Sequence, residues 1–151
     1  MKKILGIVFL SLFVNTFVYA DLKGISKMDL LIEDLNKEAI SCGITKEKIE
    51  TSVKYILSNS RIEIIDKFQL GIPTLYIQIT VSENSGLCIS NTKLMVYEYI
   101  KNRNNRNWGD FVYYNTMGVQ SNTKTYFASF FFDQLEERVK RFVIQHGEDN
   151  K

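Results

Sequence analysis

The apolar residues of this chain change their spacing twice, and that change decides what it can fold into. From Ile44 to Leu57 they fall at helical intervals, from Ile62 to about residue 119 they alternate with polar residues, and from Phe127 to Phe142 the helical interval returns. A run of strands bracketed by helices belongs to the α+β class rather than to the alternating pattern of a parallel α/β sheet. The first helix should run from about residue 46 to 58 and end near Asn59. Thr45 can accept from the amide of residue 48, Glu47 suits the positive end of the dipole, and Ile44 and Ile49 occupy the staple positions. Ile49, Val53, Ile56 and Leu57 make its buried stripe.

Period-two segments follow. Ile62, Ile64 and Ile65 lie in a short strand, and Leu75, Ile77, Ile79 and Val81 alternate with Thr74, Tyr76, Gln78 and Thr80 in the clearest one. Pro73 sits at its entrance, where a missing donor matters least. Glu83 to Gly86 reads as a turn, Leu87 to Lys101 as a long strand, Asn102 to Asn107 as a polar connection and Phe111 to Met117 as a further strand. The closing helix is expected from Asn122 to Gln145, with Phe127, Phe131, Leu135, Val139 and Phe142 on its core side, Gly147 as its stop and Glu148 to Lys151 as a frayed tail. Residues 28 to 36 stay open. Ser26 and Asp29 with Met28, Leu31, Ile32, Leu35 and Ala39 fit a capped helix slightly better than a first strand.

The amino-terminal residues MKKILGIVFLSLFVNTFVYA have the layout of a secretory signal: two lysines, an apolar core from Ile4 to Val14, and Val18-x-Ala20 before Asp21. Cleavage after Ala20 would send a single domain, residues 21 to 151, to the periplasm or the medium. The competing reading, an uncleaved anchor, is weakened by Asn15 and Thr16, which interrupt a stretch already short for a span. No stable membrane insertion is expected after cleavage. Lys2 and Lys3 leave with the signal, so the 17 basic and 17 acidic residues that remain balance, and nucleic acid is not an expected partner. Cys42 and Cys88 both lie in the exported part, where an even count favours a disulfide over two separate buried thiols.

The run Cys42-Gly43-Ile44-Thr45 with Ile49, Val53, Leu57 and Ile62, then Pro73-x-Leu75-Tyr76-Ile77-x-Ile79, a later Trp108 and the closing helix Phe131 to Phe142 resembles a family of small uncharacterised bacterial periplasmic proteins. The general layout is similar to the amino-terminal domain of TolB, as a fold analogy. The resemblance implies a strand before the Gly-Ile-Thr helix, and so a strand at residues 28 to 36. It brings no catalytic residues. The resulting expectation is an antiparallel sheet of about five strands with two helices packed on one face, in the order strand, helix, four strands, helix.

Chemistry-bearing constellations are sparse. One histidine and two cysteines 46 positions apart make no zinc site, and no calcium-loop spacing occurs among the acidic residues. Adjacent carboxylates such as Glu33-Asp34 and Glu136-Glu137 point apart. No nucleophile elbow, phosphate loop or dinucleotide fingerprint is present. Neither a cofactor nor an enzymatic activity is therefore expected. Two kinds of binding site remain. The basic connection holding Arg103 and Arg106, with Trp108 at its end, could grip an anionic or saccharide ligand, or be a solvated hairpin loop. Tyr76, Tyr97 and Tyr99, joined by Tyr113 or Tyr114, share an outward parity and could meet a protein, or simply be tyrosines suited to strands. On the closing helix Tyr126 and Phe130 lie off the core stripe, and either the connection around Trp108 folds over them or a partner protein or second copy does. The first expectation is an exported, non-enzymatic interaction module of a bacterial envelope, joining another envelope protein or itself. A small-ligand binder is the alternative.

Overall fold

The computed structural model describes residues 21–65, 67–101 and 108–151, so the expected signal segment and the Arg103/Arg106 stretch lie outside the described residues. In chain order the elements are β1 (Lys27–Ile32), α1 (Lys37–Ser41), α2 (Lys46–Ser58), β2 (Glu63–Ile65), β3 (Thr74–Asn84), β4 (Leu87–Lys101), β5 (Trp108–Thr123) and α3 (Lys124–Asp149). The strands form one sheet ordered β2-β1-β3-β4-β5. It is mixed, not purely antiparallel: β1 runs parallel to both β2 and β3, while β3, β4 and β5 form an antiparallel meander. The β1–β2 pair is parallel because α1 and α2 carry the chain back so that β2 runs in the same direction as β1.

Residues 28 to 32 are strand, as the family resemblance implied and the local pattern did not. Met28 and Ile32 are buried and Leu31 is turned to solvent, and a helix here would forfeit two ladders at once. Beyond the end of β1, Asn36 prolongs the sheet with its side chain: its amide donates to the Val81 carbonyl at 2.6 Å and its oxygen accepts from the Val81 amide at 3.2 Å. The short helix α1, absent from the sequence expectation, then leads into Gly43. That glycine has φ +84°, and a Cβ on it would lie 3.1 Å from Ala128 of α3, so both its backbone conformation and its packing disfavour a side chain. Thr45 caps α2 by accepting from the Lys48 amide, as expected.

Leu75, Ile77 and Ile79 of β3, Leu94 and Val96 of β4, the α2 stripe and the α3 stripe form one buried cluster on a single face of the sheet. The Cys42–Cys88 disulfide lies in that cluster and ties the end of α1 to the start of β4, with Cα atoms 6.3 Å apart. Ser85 and Gly86, both at positive φ, make the two-residue β3–β4 turn. The α3 helix does not stop at Gly147. It continues to Asp149 because the amino-terminal segment holds its end: Asp149 accepts from the Leu22 amide at 3.2 Å, Asn150 from the Gly24 amide at 2.9 Å, and His146 Nε2 lies 2.6 Å from the Ile25 carbonyl.

Candidate interaction surface

With every helix on one side, the opposite face of the sheet has no helix or strand over it among the described residues. Its side chains follow from register. Tyr76 stands beside Leu31 of β1 and Met95 of β4, and Tyr97 pairs with Thr74 and Val112. Strict alternation along β5 would put Trp108 on the same side as Tyr114, inside. A bulge prevents this: Val96 faces Tyr114 but Tyr97 faces Val112, leaving Tyr113 as the extra residue. The parity of β5 inverts there, and Trp108 reaches the open face, where its ring stacks on Tyr99 with centroids 5.3 Å apart and planes 9° from parallel. Tyr76 and Tyr97 meet edge to face at 6.2 Å.

Two cations border these rings, Lys93 Nζ 5.9 Å from the Tyr76 centroid and Lys101 Nζ 6.0 Å from that of Trp108. The Tyr76 hydroxyl donates to Glu33, which also accepts from Gln78 at 2.9 Å. Burial first, and the bond to Glu33 second, push the Tyr76 phenol up to about 12. Burial and then the Asp110 carboxylate raise Tyr97. Both shifts favour the protonated phenol, which is available for hydrogen bonding and ring contact.

The predicted residues thus divide. Tyr76, Tyr97, Tyr99 and Trp108 come together on one face. Tyr114 is buried against Phe142 at 5.4 Å, and Tyr113 donates to Glu98 at 2.6 Å instead of joining the row. Tyr126 and Phe130 are not covered by Trp108, which the bulge has sent to the far side of the sheet; they remain 65% and 36% exposed. Arg103 and Arg106, the charged half of the candidate ligand loop, lie outside the described residues.

Other features were less legible. Ser90 and Thr92 on β4 and Gln120 on β5 are core-facing polar residues, and the Ser90 and Thr92 hydroxyls and both ends of the Gln120 amide are buried with no hydrogen-bond partner among the described residues. Their sequence signal was a polar residue at each buried parity position. Above them the Arg138 guanidinium lies flat on Gly118, where a Cβ would come within 1.7 Å of it, and donates to the Thr92 carbonyl at 3.4 Å. An open groove of about 500 Å³ runs along the α2–α3 seam, lined by Glu47, Thr51, Ser52, Tyr55, Phe132 and Glu136, with Ser52 donating to Glu136 at 3.0 Å. Among the described residues no three His, Cys, Asp or Glu side chains gather as metal ligands, and no helix is long and apolar enough to cross a membrane.

No protein-family model and no curated protein matches the chain. Among solved structures, a minor lipoprotein from Acinetobacter baumannii aligns with 79% of this chain and 90% of its own length, at 14% identity and a TM-score of 0.40. This neighbour lends no specific support to the TolB likeness, and at this score it carries no argument about function.

Proposed function

We propose that this protein is an exported, non-enzymatic interaction module of a bacterial envelope, and that it works through the open face of its sheet. The observation that carries the reading is the Tyr99–Trp108 stack beside Tyr76 and Tyr97 on a face that no helix or strand covers among the described residues. Broad rings with polar tips suit a protein partner, since Tyr and Trp supply contact area at little entropic cost. Exposed Leu31 and Val112 add apolar surface to the same face. The disulfide supports the exported address, because such a bond persists in oxidising compartments.

A photo-crosslinking residue placed at Leu31 or Val112 in intact cells should capture a partner, while the same residue at the exposed Tyr55 of α2 should not. Equal yields from all three positions would contradict the reading. The export half has its own check. The cell-envelope form should have the intact mass of residues 21 to 151 with two hydrogens removed for the disulfide; retention of Met1 in a membrane pellet would make the protein anchored instead.

A further inference from the structure

The two edges of the sheet are unequal. β2, at one edge, has three residues and is crossed by the Lys27–Glu63 ion pair at 3.1 Å. β5, at the other, has sixteen, pairs only with β4 among the described residues, and from residue 111 to 123 carries no charge and no proline. Edges of monomeric sheets are ordinarily blunted by shortness, charge or proline, because a row of free backbone donors and acceptors is a template for another strand. A bulge at Tyr113 interrupts β5, but the segment beyond it, Asn115 to Thr123, is regular and undefended.

We propose that a second copy of this chain pairs with that segment, β5 to β5 and antiparallel, about a twofold axis at Gly118. This goes beyond the sheet-face reading and leaves that face open on both copies. Three observations favour a second copy. Pairing centred on Gly118 sets Met117 opposite Val119 of the other copy, joining residues 63% and 73% exposed in one chain into an apolar cluster on the axis. The same register sets Thr116 of one copy opposite Gln120 of the other, a polar pair on the helix-covered side of the joined sheets.

The third observation concerns α3, which lies over β4 and β5 through the Arg138–Thr92 and Tyr114–Phe142 contacts. Two such helices would run antiparallel about 10 Å apart, an ordinary helix-packing distance. Side chains lean toward a helix's amino end, so Arg138 resting on Gly118 places the axis near residue 137. That centre brings exposed Phe130 against exposed Ile144 and Asp133 against Arg141 of the second copy. Glu137, at the axis, is already neutralised by Arg141 at 3.0 Å within its own chain. The off-stripe aromatic surface of α3 thereby acquires an occupant of matching chemistry.

The test is sedimentation velocity of the purified, disulfide-intact protein over a concentration series up to about 100 μM, the range in which micromolar association is resolved. The wild type should reach a dimer. Met117→Lys/Val119→Lys gathers four lysines at the axis and should weaken the dimer at least about tenfold; its circular dichroism should match the wild type, as should its thermal midpoint at a dilution where both are monomeric, both sites being exposed. Asp133→Arg should also weaken it, and Asp133→Arg/Arg141→Asp should restore it. A wild type that stays monomeric throughout, a dimer unaffected by the two lysines, or a charge swap without rescue would each overturn the proposal, whether or not the sheet face crosslinks to a partner.

Discussion

Tyr76 and Tyr113 each donate a hydroxyl to a carboxylate, Glu33 and Glu98, and both phenols are pushed up to about 12, burial being the larger cause in each. The protonated form is the one the fold favours. Stability linked to these groups is therefore fully present below about pH 10, the value of a phenol in an unfolded chain, and is lost as pH rises through about 12. An ultraviolet titration should show Tyr76 and Tyr113 ionising well after an ordinary phenol, with Tyr97 also delayed. Glu33→Gln should bring Tyr76 only part of the way down, because burial remains; a full return to the ordinary value would show that the carboxylate, not burial, dominates. Such pairings were not legible beforehand. Glu33 and Tyr76 are 43 positions apart and meet only because β1 lies beside β3.

Elements were legible where local pattern and tertiary context agreed. Thr45, Ile44 and Ile49 announced α2, and the alternation of Leu75, Ile77, Ile79 and Val81 announced β3. They failed where distant partners decided. β1 reads locally as a helix and becomes a strand between two neighbours, while α3 runs past Gly147 because Leu22 and Gly24 bond its end. The bulge in β5 was illegible too, since Tyr113 and Tyr114 are identical in type and nothing local says which is the extra one. The expected pairing of Cys42 with Cys88 is present, closing a span of 46 positions. On the chain-entropy model such a closure contributes about 4 kcal/mol. Reduction should lower the thermal midpoint by several degrees, as a loss of that size does in a domain of this length; an unchanged midpoint after complete reduction would show that the bond constrains little.

For the whole molecule, the decisive fact is asymmetry: one face of the sheet carries the entire buried cluster, including the helices, and the other carries a row of aromatic rings. The sequence's parity placed Tyr76, Tyr97 and Tyr99 on that outer face correctly, whereas Trp108 joins them only through the bulge. If the open face binds a partner, the balanced charge of residues 21 to 151 leaves shape and aromatic contact, rather than a strong field, to select it. The direct measurement is paired: in-cell crosslink yield from Leu31 and thermal midpoint, both in the Tyr99→Ser/Trp108→Ser variant. If the open face is the working surface, the crosslink should be lost while the midpoint moves by only a few degrees, as partly exposed substitutions cost little. A crosslink that survives with wild-type yield would contradict the assignment of function to this face.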